Sequence, residues 1–171
     1  ITETTINPMC FGSNDGSVIL TISGGVGSYS QNWFGQNPSS LSAGTYYYEV
    51  SDSNGCSFFD TISLTQPSKI SFEDFIIPPL CYGDSNGNVT LAISGGVGPY
   101  SQNWNGFNPN NLFEGTFYFS IVDDSGCFIY DSVVINNPSN LQISSSYNSS
   151  NIIFYAFGGP PPYTCEFWGP S

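Results

Sequence analysis

Five cysteines, 13 carboxylates and no histidine bound the chemistry open to this 171-residue chain. Without an imidazole neither a Ser-His-Asp nor a Cys-His relay can be assembled, and zinc loses its commonest nitrogen ligand. Asp123 and Asp124 are adjacent carboxylates of the kind a glycosidase uses. They fall, however, in a turn sequence, Asp123-Asp-Ser-Gly-Cys127, and Ser53 stands for Asp124 in a second copy of that sequence. No enzyme is expected. Asp15, Asp84 and Asp123 offer hard oxygen donors for calcium in their loops. None of these loops has the closing glutamate of an EF-hand, and the plainer reading is that Asp, Asn and Gly are turn formers. No cofactor is expected, calcium being the one candidate.

The cysteines carry a firmer signal. Cys10 and Cys56 lie 46 residues apart, and so do Cys81 and Cys127. Paired cysteines in small units point to an oxidising compartment. The spacing predicts the disulfides Cys10–Cys56 and Cys81–Cys127, each worth about 4 kcal/mol on a chain-entropy argument; the alternative is four buried thiols. Cys165 has no counterpart, so its partner lies elsewhere or it is free.

What must position these residues is a repeat. Ser23-Gly-Gly-Val-Gly-Ser-Tyr-Ser-Gln-Asn-Trp33 returns as Ser94-Gly-Gly-Val-Gly-Pro-Tyr-Ser-Gln-Asn-Trp104, and in altered form at Gly158–Trp168. With an offset of 71, residues 10–67 align on 81–138 without a gap, and about half the positions are identical. Tandem copying at this period indicates one structural unit repeated. The chain divides into repeats at 1–67 and 68–138 and a partial third at 139–171, with Pro67 and Pro138 closing the units. It begins in a strand-like pattern and stops inside a repeat, and is expected to be a stretch of a longer polypeptide.

Val18, Leu20 and Ile22 alternate with Ile19 and Thr21 in a period-2 strand, and Val89, Leu91 and Ile93 copy it. Tyr46, Tyr48 and Val50 form one face of a later strand, copied by Phe117, Phe119 and Ile121, while Tyr47 and Tyr118 point outward. No segment has a helical period. Six or seven short strands per repeat imply all-β, tandem immunoglobulin-like antiparallel β-sandwiches. In a strict version of that topology the Cys10 loop and the Cys56 hairpin lie at opposite ends, so the expected disulfides need a variant strand order or a Cys10–Gly16 segment climbing beside the sheet. The glycine-rich stretch is no phosphate cradle, because no helix follows it and no cation accompanies it.

One Lys and no Arg against 13 acids give a net charge of −12. That balance excludes nucleic acid and anionic membranes as partners, and no apolar run is long enough to insert in a bilayer. Asp60 takes the inward phase of Phe58 and Ile62, an odd place for an acid. Tyr47 and Tyr118, with Phe34 and Phe107, could stack on sugars or contact another protein; packing against a neighbouring loop is the plainer account. Asn88-Val-Thr90 and Asn148-Ser-Ser150 are N-glycosylation sequons of the kind that arise by chance.

The ordered set Cys-Phe/Tyr-Gly, Ser-Gly-Gly-Val-Gly-x-Tyr-Ser-x-x-Trp, Gly-Thr-Tyr/Phe, Asp-x-x-Gly-Cys and Gln/Asn-Pro resembles the SprB-type repeat of large cell-surface adhesins of gliding Bacteroidota. More distantly it is similar to the polycystic-kidney-disease type of immunoglobulin-like module. The resemblance implies an extracellular stalk segment acting in adhesion and gliding, exported by a type IX system. Its partners would be neighbouring repeats of the same chain and surface polysaccharide or other cell-surface proteins. It also implies O-glycans on Thr61 and Ser132, each in an Asp-Ser/Thr-aliphatic sequence. The alternative is a polysaccharide-binding module of a secreted protein.

Overall fold

A computed structural model describes residues 1–149, 151–164 and 166, and among these there are strands but no helix. In the first repeat β1 (Thr2–Ile6) pairs antiparallel with β2 (Ser17–Thr21), Thr4 opposite Ile19. A second sheet has the order β3-β4-β5, from β3 (Ser30–Asn32), β4 (Gly44–Ser51) and β5 (Ser57–Leu64). The second repeat copies this with β6 (Ser71–Ile77) on β7 (Asn88–Ser94), and β8 (Ser101–Asn103), β9 (Gly115–Val122) and β10 (Phe128–Ile135) in the order β10-β9-β8. The partial repeat supplies β11 (Gln142–Tyr147) on β12 (Ile152–Phe157). Each full repeat is thus a five-stranded antiparallel β-sandwich, not one of six or seven strands. The loose segment before Leu41 contributes a single bridge, Gly16 to Leu41, copied by Gly87 to Leu112.

Alternation builds the core. Val18 from the small sheet meets Tyr48, Val50, Ile62 and Leu64 from the large one, with Trp33 and Leu41 closing the ends. All seven positions recur, 71 residues on, as the buried Val89, Trp104, Leu112, Phe119, Ile121, Val133 and Ile135. Trp33 stacks tilted on Tyr48 with ring centroids 5.2 Å apart, and Trp104 on Phe119 at 4.7 Å. Gln31 stays at the surface and accepts the Trp33 indole N–H at 3.2 Å, as Gln102 does for Trp104 at 3.1 Å. Tyr47 and Tyr118 point outward, each 66% exposed.

Tyr48 and Phe119 differ by one hydroxyl. The Tyr48 hydroxyl donates to Glu3 Oε1 at 2.6 Å. Burial, then the Glu3 hydrogen bond and charge, push its ionisation well above the ordinary phenol range. A raised value favours the folded, neutral form below the unfolded-state pKa of about 10 and loses that contribution as pH climbs beyond it. Tyr48→Phe, which reproduces the other repeat, is expected to cost about 1 kcal/mol at neutral pH and to flatten the fall in melting temperature above about pH 10. Melting curves from pH 7 to 11 check both.

Asp60 is exposed and accepts its neighbour's amide, Thr61 N–H to Asp60 Oδ1, at 2.7 Å. The inward phase is harmless there because β5 is an edge strand of its sheet and burial along it begins only at Ile62.

The described chain forms two compact units. The first holds Ile1–Ser71 together with Ile93–Ser101 and Val122–Ile129, and the second holds Phe72–Ala92, Gln102–Ile121 and the remainder from Tyr130. The first repeat therefore shares its unit with the glycine turn and the last hairpin of the second.

Candidate functional site

The first compact unit contains the one disulfide of the described residues, and it is not the expected one. Cys10 is bonded to Cys127, with Cα atoms 5.6 Å apart, while Cys56 and Cys81 are free and exposed. This corrects the pairing Cys10–Cys56 and Cys81–Cys127, and the strand register gives the reason. Gly44 lies opposite Leu64 at one end of the β4–β5 hairpin, and Ser51 opposite Ser57 at the other. The Cys10 loop is fastened at the Leu64 end: Gly12 N–H donates to Gln66 Oε1 at 2.7 Å and Thr65 N–H to Asn7 Oδ1 at 3.0 Å. Cys56 caps the opposite end. Eight residues of strand put about 25 Å between those ends, and a disulfide tolerates Cα separations of no more than about 7 Å.

Cys127 reaches Cys10 because three segments converge. The chain leaves the first repeat through Pro67-Ser68-Lys69-Ile70. Gly96 N–H donates to Ser68 O at 2.8 Å, laying the glycine turn of the second repeat on that linker. Gly95 and Gly96 have φ of 75° and 59°, a region that L side chains rarely adopt. A Cβ on Gly95 would stand 2.0 Å from Lys69 O, and one on Gly96 2.5 Å from Asp123 Oδ2. Tyr100 ties the turn down by donating to Gly95 O at 2.5 Å, a bond repeated by Tyr29 to Gly24 O and by Tyr163 to Gly158 O.

Asp123 joins turn to hairpin. One oxygen accepts Val97 N–H at 2.9 Å and the other accepts Cys127 N–H at 2.9 Å, and Asp124 N–H returns a bond to Val97 O at 2.8 Å. The carboxylate is only 5% exposed, and Cys127 8%. In the first repeat a half-buried Asp52 accepts the matching bonds from Val26 N–H and Cys56 N–H, at 3.1 and 2.9 Å. The Cys56 amide, with those of Val26 and Asn54, holds the Asp52 carboxyl below the usual carboxylate range. A lowered value contributes stability above the unfolded pKa of about 4, and that contribution disappears as pH falls through the folded value. Amide shifts of Val26 and Cys56 are therefore expected to stay constant from pH 7 to about 4 and to move below it, and in Asp52→Asn to lose that transition. NMR titration checks this.

The calcium candidates are otherwise employed. Asp15 Oδ1 accepts Met9 N–H at 3.1 Å and the Ser13 hydroxyl, and these two bonds, the hydroxyl foremost, hold its carboxyl low. Asn86 occupies the equivalent place and accepts Leu80 N–H at 3.0 Å, so the position needs an acceptor and not a charge. Asp84 Oδ2 accepts from Asn86 Nδ2 at 3.3 Å. Asp15, Asp84 and Asp123 occupy three separate loops, and among the described residues no group of three metal-ligating side chains assembles. Thr61 is exposed on β5 directly opposite Tyr47, and Ser132 is half-buried. Cys165 lies outside the described residues.

Sequence reasoning missed Asp52 and Asp123 as clamps of the glycine turn. The available signal was their invariance between copies beside a variable neighbour, Ser53 against Asp124. No curated protein and no solved structure matches the chain. A family model described as the SprB repeat matches residues 2–34 and 75–108, from the first strand of each full repeat to just past its tryptophan. Each of the two matched segments bears a first cysteine and a glycine turn.

Proposed function

We propose that this chain is a stalk segment of a large cell-surface adhesin, in which repeats are fastened head to tail to carry an adhesive or gliding function outward. The observation that carries this reading is the Cys10–Cys127 joint, which spends a disulfide, a buried carboxylate and two glycines on holding one repeat against the linker to the next. A catalytic or ligand pocket has no use for such a device; a load-bearing string does. SprB repeats are associated with cell-surface proteins, which supports an extracellular location. Export by a type IX system and O-glycans on Thr61 and Ser132 belong to the same proposal. Brief proteolysis of intact source cells, followed by detection of residues 1–171, tests it. Loss of the signal with cells intact is expected, and full protection would overturn a surface role. Mass spectrometry of the released material reads Thr61 and Ser132 directly, and unmodified residues would remove the glycans from the proposal.

A second reading, polysaccharide binding, is favoured by one observation. Phe34, Tyr47, Tyr48 and Phe59 line an apolar recess of about 280 Å³ beside Asp60. Tyr47 is 66% and Phe59 64% exposed, as stacking on a sugar ring requires. Saturable binding on a glycan array, lost in Tyr47→Ala, would support it.

A further inference from the structure

Three recesses of the molecule are lined by residues at equivalent positions of the repeat. The complete one contains Cys10 and Phe11 on one side, Lys69 and Ile70 of the linker, and Asp123 and Cys127 on the other. A second recess, in the first compact unit, has the hairpin side alone: Gly25, Asp52, Cys56 and Phe58 stand where Gly96, Asp123, Cys127 and Ile129 stand in the complete joint, 71 residues on. No counterpart of the Cys10 loop lines it. A third recess, in the second unit, has the loop side alone. Cys81 and Tyr82 take the places of Cys10 and Phe11, Ser139 and Asn140 those of Ser68 and Lys69, and Gly159 that of Gly96. The volume of about 350 Å³ beside them contains no Asp-x-x-Gly-Cys hairpin.

We propose that Cys56 and Cys81 are the unfilled halves of further joints. Cys81 accepts the hairpin cysteine of a following repeat, and Cys56 is accepted by the loop cysteine of a preceding one. The disulfides of the array therefore skip the within-repeat pairing throughout and link each repeat to the next. The occupant of the Cys81 recess is an Asp-x-x-Gly-Cys hairpin, whose aspartate clamps the glycine turn while its cysteine enters beside the loop. Burial follows completion. Cys127 is buried in the filled joint, whereas Cys56 is exposed in the unfilled one.

Closure is thiol–disulfide exchange with a small disulfide oxidant such as oxidised glutathione. The Cys81 thiolate attacks one glutathione sulfur and expels reduced glutathione. The hairpin thiolate then attacks Cys81 sulfur and expels the second. The two protons given up by the cysteine thiols are taken up by the two glutathione thiolates released, and both electrons end on glutathione.

The inference goes beyond the stalk reading and holds whatever surface the protein reaches. Its test uses the full chain with residues 68–138 duplicated in place, refolded in a glutathione redox buffer, with disulfides mapped by mass spectrometry and thiols counted after unfolding. The five native cysteines become seven. Two joints leave three free thiols, and one joint leaves five. The expected result is Cys10 bonded to Cys127 of the first copy, Cys81 of that copy bonded to Cys127 of the inserted one, and three free thiols. Cys10–Cys127 present while Cys81 is free, bonded within its own copy or bonded to Cys165 would overturn the inference and leave the observed joint intact. Absence of Cys10–Cys127 as well would overturn both. Neither result bears on surface location, which the proteolysis experiment decides.

Discussion

Breaking Cys10–Cys127, by reduction or by Cys10→Ser, is expected to destabilise the first compact unit by about 5 kcal/mol. The bond closes a loop with a sequence separation of 117, and the chain-entropy model assigns about that much to a loop of such length. Cys56→Ser and Cys81→Ser, altering exposed free thiols, are expected to change stability by no more than about 0.5 kcal/mol. Denaturant titrations with and without reductant separate the two classes. A mechanical readout is larger still. Pulled from its ends, the oxidised chain hides the residues between 10 and 127, so reduction is expected to lengthen the fully extended molecule by about 400 Å. An equal contour length in both redox states would show that the bond does not form.

Asp123→Ala is expected to cost about 3–4 kcal/mol, and Asp52→Ala about 1, although the two residues make matching bonds. Each bond from a backbone N–H to a carboxylate is worth about 1.5–3 kcal/mol when buried, and its loss leaves a donor unsatisfied. Cys127 would lose its acceptor at a buried bond and Val97 at a part-buried one, since Asp123 is nearly fully buried. The donors facing the half-buried Asp52 belong to the exposed Val26, Asn54 and Cys56 and can turn to solvent. Asp123→Asn retains one acceptor oxygen and is expected to recover about half the loss. Thermal denaturation of the variants settles this, and equal losses at the two sites would show that completing the joint does not bury the clamp.

The architecture was largely legible, because a repeat reads each inward position twice. Val18 with Val89 and Trp33 with Trp104 identify the core before any strand is assigned, and Tyr47 and Tyr118 identify the outer face. The strand count was overestimated: the loose stretches ending at the plugs Leu41 and Leu112 add a single bridge each and no further strand. The disulfide was misread for a deeper reason. Equal spacing of 46 in both copies shows that two positions are equivalent, but it does not say whether partners lie in the same copy or in adjacent ones. Only the length of β4 and β5, and the end at which each cysteine sits, decides that. The aspartate clamp was hidden because its partners are backbone amides, which leave no trace in side-chain identity.

The stiffness of the β4–β5 hairpin also has a consequence in time. A chain emerging from its amino end presents Cys10 first, then Cys56, and Cys127 only much later. Through that interval Cys56 is the nearer candidate along the sequence, and in an unstructured polymer the shorter loop would close first. Once Ser51 has zipped to Ser57 and Gly44 to Leu64, the two sulfurs stand at opposite ends of a rod too long to bridge. The hairpin works as a ruler that forbids the early, wrong crosslink and keeps Cys10 waiting for the right one.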